Sequence, residues 1–471
     1  MGNRHVIEDA SDPVVEYQLD EDIFDGRREY YITTLDPRFE SVDDIFRKLL
    51  SKRFGSEFEP IRVIPYRLTH LVEFRNYVFI SDKLKRNSLS SDSVWIPENE
   101  ELNEEICSST FMDNLISGLG RQKYVFINTF TTSFFKATWK NVIPIGPKPK
   151  LATSLDSKVE QRKLLDTFDL SPEGTIVENL DELKNFLIDK VSKKWFVSTE
   201  YSSGGAESSI ITEIVDIDRF ARKIRERDRD HRFVISEYLE HRDSPNSTGI
   251  VLDKDLVFVA SVSDQLFLDD LLRGTEYVGN IYPSQTTDAV KKQIIEATRA
   301  LGLCLGRHGY RGFFGCDFVV NDNRVFAVDI NPRRQGGLLC NTLMFEKLRN
   351  KGYPNLLALE MDAVLGESNE KSSLNRLENP KTGFFWSHYK IPPAGSNPTI
   401  TREIAEGSER ACFEQVGSRF VKSFFPKGSH FLGGDMVGLI MTTGLTYESL
   451  LNKTSRQASH FSEWICGQTK D

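Results

Sequence analysis

Asp317-Phe318-Val319-Val320-Asn321-Asp322-Asn323-Arg324-Val325-Phe326-Ala327-Val328-Asp329-Ile330-Asn331-Pro332-Arg333 is the stretch that decides how this chain reads. Its two apolar runs flank a polar triplet, Asn321-Asp322-Asn323, and so read as antiparallel strands joined by a tight turn. A three-residue turn sets Asp317 opposite Ala327. Side chains alternate between the faces of a strand, so Asp317, Asp329 and Asn331 would then all lie on the face that Ala327 shares. A two-residue turn would split them. Two carboxylates and a carboxamide oxygen suit Mg2+ (or Mn2+), which takes oxygen ligands and completes its shell with water and nucleotide phosphates. Arg333, one same-face step past Asn331, can grip a phosphate or carboxylate oxygen with its planar fork. Taken alone, Asp329-Ile330-Asn331-Pro332 is equally a strand ending in a polar turn, since Asn-Pro commonly starts one.

The rest of the chain sets the bounds. Its 471 residues allow several domains, and 39% hydrophobic with 27% charged residues is the balance of a soluble globular protein. No apolar run approaches the roughly 20 residues needed to span a bilayer, and the N-terminus lacks a signal-peptide core, so no membrane role is expected. Met1-Gly2-Asn3-Arg4-His5-Val6 places Val where a myristoylation start wants Ser or Thr. A net charge of -9 argues against nucleic acid as a partner. The richest basic stretch, Arg222 to Arg232, is interleaved with Glu226, Asp228 and Asp230 and reads as a solvated helix end. Six cysteines (Cys107, Cys304, Cys316, Cys340, Cys412, Cys466) show no paired metal spacing, which suggests reduced thiols and a cytoplasmic location. The eight histidines show no metal-protease spacing, and no Ser stands in a nucleophile elbow.

Three regions are expected, 1–150, 151–340 and 341–471, and the patterning marks the first boundary. Residues 1 to about 26 are acidic and aperiodic, a mobile lead-in or an irregular edge. From there to Ile143, strand-like pieces such as Ile61-Arg62-Val63-Ile64 alternate with helical ones such as Asp43 to Leu50, an α/β domain. Pro144 to Pro149 reads as a linker or turn. A helix-strand rhythm begins after it. Ser157 with Glu160 makes a capping box that puts Lys158 in a first helical turn. The strand Trp195-Phe196-Val197-Ser198 enters Ser202-Ser203-Gly204-Gly205-Ala206, whose small residues make either a plain hairpin turn or a loop that lets backbone N–H groups approach oxyanions. A helix with Ile217, Phe220, Ala221 and Ile224 on one side, the strand Arg232 to Glu237 and a helix with Val290, Ile294, Ala297 and Leu301 aligned lead to the hairpin.

Gly309 to Phe318 followed by Val328-Asp329-Ile330-Asn331-Pro332-Arg333-Arg334-Gln335-Gly336-Gly337 resembles the metal hairpin of the ATP-grasp superfamily, in which an acidic residue on one strand faces acidic-x-Asn-Pro-Arg on the next. The order of the preceding elements is similar to that family too, and the end of the resemblance sets the boundary at 340. The resemblance implies mixed α/β and α+β architecture: an ATP-grasp fold of two lobes with a hinge near 237–240, an N-terminal α/β domain and a small C-terminal domain that completes the site. It implies ATP and Mg2+ (or Mn2+) as cofactors, with Asp317, Asp329 and Asn331 on the metal. Lys158 would reach the nucleotide phosphates, Ser202, Ser203, Gly204 and Gly205 would cover them, and backbone at Glu237, Tyr238 and Leu239 would read the adenine edge. Arg333, Asn331 and Lys158 would be the catalytic set. Arg311 and Arg334 are candidates for holding an anionic group. The sequence departs from the family at Ser198-Thr199, where a second phosphate-binding lysine usually stands, and at Asp329, where Glu is more usual. The expected activity is an ATP-dependent carboxylate–amine ligase that forms an amide through an acyl phosphate and releases ADP and phosphate. Small carboxylates and amines, such as amino acids or peptides, would be the partners, and a homodimer is compatible with this. A carboxylase-type or kinase-like enzyme and a non-catalytic nucleotide-binding module are the alternatives.

Overall fold

The computed structural model describes residues 5–7, 14–19, 28–35, 39–64, 76–81, 109–119, 122–133, 141–190, 192–201, 207–225, 232–240, 243–267, 277–366, 374–391, 416–423 and 438–467, with a few single residues between them. Three sheets carry the chain. The first uses β1 (His5–Ile7), β2 (Val14–Gln18), β3 (Glu29–Thr33), β4 (Phe58–Ile64), β5 (Tyr77–Ser81), β6 (Val125–Asn128) and β7 (Val142–Ile145), in the order β1-β2-β5-β4-β3-β6-β7. From β5 to β7 the strands are parallel, while β1 and β2 run antiparallel at one edge. Tyr30 to Thr33 and Val125 to Asn128 are buried throughout, as central parallel strands require. The expected aperiodic lead-in therefore carries two edge strands, too short to declare a period.

Helices α1 (Glu40–Phe54) and α2 (Thr110–Gly118) belong to this domain. In α1 Val42, Phe46 and Leu50 form a buried stripe, and Gly55 closes the helix in the left-handed conformation at φ 71°. Since β3 is followed in space by β4 on one side and β6 on the other, the sheet reverses order between β3 and β6. The expected linker at Pro144 to Pro149 is ordered. Pro144 lies in the edge strand β7 and Pro149 opens α3 (Pro149–Asp156), where its missing N–H costs nothing.

Next come α4 (Lys158–Thr167), β8 (Gly174–Val177), α5 (Leu180–Ile188), β9 (Trp195–Thr199), β10 (Ser208–Ile211), α6 (Ile214–Arg225) and β11 (Phe233–Glu237). The strands form a small antiparallel sheet, β10-β9-β11-β8. Trp195, Val197, Phe233 and Ile235 pack on one side with Leu183, Leu187, Ile217, Phe220 and Ile224 of α5 and α6. Strand alternation turns Phe196, Ser198, Val234 and Ser236 to the other side.

The third sheet begins with β12 (Pro245–Asp253), β13 (Leu256–Phe267) and β14 (Tyr277–Tyr282). After α7 (Asp288–Arg307) come β15 (Gly312–Asn321), β16 (Arg324–Asn331), α8 (Leu338–Leu348), α9 (Leu356–Leu365), β17 (Phe385–Ile391), β18 (Arg419–Ser423), β19 (Gly438–Gly444) and α10 (Tyr447–Ile465). The order is β16-β15-β12-β13-β14-β17-β19-β18, all antiparallel. Val290, Ile294, Leu301 and Leu305 of α7 seal one face against Val257, Val259, Phe314 and Phe318. The region after 341, expected as a small C-terminal domain that completes the site, adds strands to this sheet, because β17 pairs with β14 from Gly279↔Tyr389 to Tyr282↔Trp386. Among the described residues no helix is long and apolar enough to cross a membrane.

Candidate functional site

The hairpin is built differently from the expectation and arrives at a related result. Its turn has two residues, Asp322 and Asn323, both left-handed at φ 49° and 62°, and Asn321 pairs with Arg324. That is a type I′ connection, which matches the twist of its strands and which Asn and Asp tolerate. Continued without interruption, this register would put Asp329 opposite Cys316 and on the face away from Asp317. A bulge between Asp317 and Phe318 in the ladder removes the offset: Phe318 pairs with Ala327, but Asp317 pairs with Asp329 and Gly315 with Asn331. Val328 is the extra residue, 44% exposed. Ala327 faces the core with Phe318, Ile330 and Cys316, so the three candidate ligands share the face opposite to Ala327's, a correction to the expected arrangement.

On that face Asp317 is the centre. Its Oδ1 accepts from Asn246 Nδ2 at 2.5 Å and Gln265 Nε2 at 3.1 Å, and its Oδ2 accepts from Asn331 Nδ2 at 3.1 Å. Burial, and then the neighbouring charge of Asp329, push its carboxyl up to about 6 in spite of those donors. Two carboxylates so directly opposed want a cation. Lys158 supplies part of it, donating from Nζ to Asp329 Oδ1 across the gap from α4. Lys158 is placed by its own helix start: Ser157 caps α4 by accepting from Glu160 N, and Lys158 N donates to Glu200 O at 2.8 Å. Among the described residues no group of three or more His, Cys, Asp or Glu side chains gathers, so a divalent ion here would take two carboxylates and the Asn331 oxygen, with open positions left for other oxygens. The residues present fit such an ion.

Arg333 and Arg334 part company. The Arg333 guanidinium lies 5.8 Å from the centre of the Phe130 ring and beside Asp156, whose carboxyl is raised by burial and lowered in part by Arg333. Arg334, 2% exposed, is fully engaged in structure. It donates Nε and Nη2 to Glu360 Oε2 at 3.0 and 2.6 Å, and Nη1 to Asn128 Oδ1 at 2.6 Å and Thr129 O at 3.0 Å. Arg311 is not brought to the site either. It caps α7 through Gly306 O at 2.9 Å and pairs with Asp253 at 3.3 Å, about 20 Å along β15 from Asp317.

The small sheet lies across from the hairpin. Glu237 ends β11 and residues 238–240 lead toward β12, which joins the two sheets as a hinge would. Glu237 N donates to Glu173 O at 2.7 Å and Tyr238 N to Lys194 O at 2.9 Å, so Leu239 follows a backbone held in place. Lys193 pairs with Glu173 and Glu237, and Lys194 with Glu240. Ser202, Ser203, Gly204 and Gly205 lie outside the described residues. Ser198 stands on the face of β9 turned from the helices, opposite Val234, and Thr199 turns the other way to Glu207 at 2.7 Å. Reading by motif missed Asn246, Gln265, Asp156, Glu200 and Arg232. Asn246 lies in the polar run Asn246-Ser247-Thr248 and Gln265 follows Asp264, so neither strand's pattern marks them, and Asp156 and Glu200 have no signal beyond their neighbours in the chain.

A small sheet and an acidic hairpin sheet, joined through residues 238–240 and bridged by the helix that carries the capped lysine, define a nucleotide-clamp architecture. Residues 178–337 match the family model of the ATP-grasp domain, and the chain has the ATP-grasp fold. A stretch of 105 residues is 35% identical to an L-propargylglycine–L-glutamate ligase of Streptantibioticus cattleyicolor, which is 22% of this chain and 20% of that enzyme's length. Among solved structures, the biotin carboxylase domain of the Hydrogenobacter thermophilus 2-oxoglutarate carboxylase, in complex with MgADP, ADP and bicarbonate, superposes with a TM-score of 0.65 at 12% identity, over 91% of this chain and 89% of that one. The L-amino acid ligase of Bacillus licheniformis superposes with a TM-score of 0.59 at 14% identity, over 92% and 97%. At those identities the likeness concerns the fold.

Proposed function

We propose that this chain is an ATP-dependent carboxylate–amine ligase that activates a small carboxylate as an acyl phosphate and passes it to an amine, with release of ADP and phosphate. One observation carries the reading: the directly opposed Asp317 and Asp329 on the inner face of the hairpin, with Lys158 reaching Asp329 from the start of α4, a helix that packs on the hairpin's own sheet and bonds the small sheet through Ser157. Phosphoryl transfer needs little from a protein beyond positioning and charge neutralisation, and these are the parts that supply both. Asp317, Asp329 and Asn331 would hold Mg2+, which neutralises phosphate oxygens when bound. Lys158 and Arg333 are the cations on either side of that position, and Arg333 lies against the Phe130 ring. Backbone at 237–239 suits an adenine edge, and the segment 202–206 suits a cover that keeps water from an acyl phosphate. The ATP-grasp match and a curated relative that joins an amino acid to glutamate favour amide formation and amino-acid-like substrates.

The test is product analysis with MgATP against amino acids, small carboxylates and amines. ADP, phosphate and an amide are expected, and hydroxylamine should divert the reaction to a hydroxamate. AMP and pyrophosphate would contradict the reading. Turnover that depends on bicarbonate would favour a carboxylase, and a stable phosphorylated product a kinase-like enzyme.

A further inference from the structure

The small sheet presents an uncharged surface where a triphosphate would run between the lobes. Phe196, Ser198, Val234 and Ser236 face that way. Among the described residues two arginines stand on this side, and their surroundings differ. Arg162 of α4, 7% exposed, is tied to Asp166 Oδ1 at 2.8 Å and Ser236 Oγ at 3.1 Å, and lies so close over Gly174 that a Cβ there would meet its Nη1 at 2.9 Å. It is a packed strut near the hinge end. Arg232 lies at the opposite end, where β11 begins, and its side chain keeps 35% of its surface exposed.

Arg232 forks onto one carboxylate, Glu200, through Nε at 2.9 Å and through Nη2. Glu200 follows Ser198 on the same face, two residues on, immediately before Tyr201 and the 202–206 segment. Its backbone N donates to Arg232 O at 2.9 Å, so the two residues stand opposite each other across the strands. The carboxylate has further partners: Ser157 Oγ donates at 2.6 Å, and the Tyr201 hydroxyl also bonds it. Burial alone would raise the Glu200 carboxyl, but the Arg232 and Ser157 donors hold it below its usual value. Glu200 thus remains satisfied by two hydroxyls if the guanidinium turns away. Through Ser157 and the Lys158 amide, the pair is joined to the helix start whose lysine touches Asp329, which sets Arg232 on the same rim as the acidic hairpin.

We propose that Arg232 is the cation with which the small sheet holds the triphosphate of a bound nucleotide, trading part of its fork on Glu200 for a phosphate oxygen. This rests on the reading that MgATP binds between the lobes. A planar, always-charged guanidinium suits the task, and a phosphate oxygen replaces a carboxylate oxygen without stripping the charge of its partners.

Calorimetric titration of the full chain with MgATP and with adenosine tests it. In Arg232→Ala, and in Arg232→Gln, which retains a hydrogen bond to Glu200 but no charge, MgATP affinity should fall by about tenfold or more, the loss typical of one charge-assisted contact, while adenosine affinity stays within about twofold. Adding Ser198→Lys to Arg232→Ala should restore part of the MgATP affinity. Equal losses for MgATP and adenosine, with a lowered melting temperature, would show that the pair only ties the strands and would overturn the proposal. Unchanged MgATP affinity in both variants would overturn it as well. A parent protein that binds neither ligand would instead remove the nucleotide reading beneath it.

Discussion

Two adjacent arginines show how far a single side chain's role depends on its surroundings. Arg333 rests its guanidinium on Phe130 beside Asp156, while Arg334 is buried on Glu360 and Asn128. Charge at the cleft should therefore come from Arg333. Arg333→Lys or Asn331→Ala should lower ATP turnover by about two orders of magnitude, on the order of 3 kcal/mol of transition-state stabilisation, with circular dichroism unchanged. Turnover within a few-fold of the parent would make both residues structural. A second residue governs acid stability. His388 is buried beside Tyr277, whose hydroxyl lies 3.2 Å from Nε2, and burial followed by the charge of Lys390 pushes its pKa down to about 3. A base with a depressed folded pKa contributes stability that is complete above its unfolded value of about 6.5 and is lost as pH falls from there toward 3. Between pH 6.5 and 5 this amounts to roughly 2 kcal/mol. Urea titrations at the two pH values should show that loss in the parent and not in His388→Gln; equal slopes would mean that the imidazole is hydrated.

At the scale of elements, the hairpin is decided by one inserted residue. The type I′ turn fixes a register that alone would carry Asp329 and Asn331 away from Asp317, and the bulge at Val328 returns them. Deleting Val328 should give a regular ladder with a stable fold and the wrong face. Mg2+-dependent thermal stabilisation should disappear and ATP turnover should fall by about a hundredfold or more, as expected when groups that neutralise phosphate are withdrawn. Retention of the Mg2+ effect would show that the acidic pair does not hold the ion. Asn321-Asp322-Asn323 allowed either turn length, because each of the three residues tolerates turn geometry, and the exposed Val328 resembles any other strand valine. Helix starts were easier. Ser157 caps its helix as its spacing to Glu160 indicated, and Asn179 caps α5 in the same way, accepting from Asp181 N and Glu182 N, since capping is local chemistry.

Over the whole molecule, a buried polar chain ties the first sheet to the third. Arg62 pairs with Asp43 at 3.1 Å, Asn128 Nδ2 donates to Asp43 at 3.0 Å, Arg334 donates to Asn128, and Glu360 closes the chain by accepting from Arg334 and, at 3.4 Å, from Phe313 N. Removing one partner strands a buried charge. Glu360→Ala should lower unfolding stability by about 3–5 kcal/mol, whereas the double variant Arg334→Met/Glu360→Leu should recover most of it. Urea unfolding curves would decide. A single variant as stable as the parent would show that water reaches the pair. The network also sets Arg333, since the backbone of Arg334 is bonded to Phe130 O at 3.3 Å.

The sequence by itself determined the kinds of group on the hairpin and their order: an acidic residue, then Asp-x-Asn-Pro-Arg, behind a capped lysine. It determined the helix capped by Ser157 and the striped helices around Phe220 and Ile294 as well, because capping and an apolar stripe are set within a few residues of chain. Only the tertiary structure decided which face the ligands share, since a bulge changes parity without changing composition. It alone separated Arg333 from Arg334, because their partners Phe130, Asn128 and Thr129 lie about two hundred residues away in the chain, and it alone gave Arg311 to Asp253 and the end of α7. It also joined the region after 341 to the central sheet, a pairing of β14 with β17 that no local pattern encodes, since backbone hydrogen bonds between strands are indifferent to the side chains that flank them.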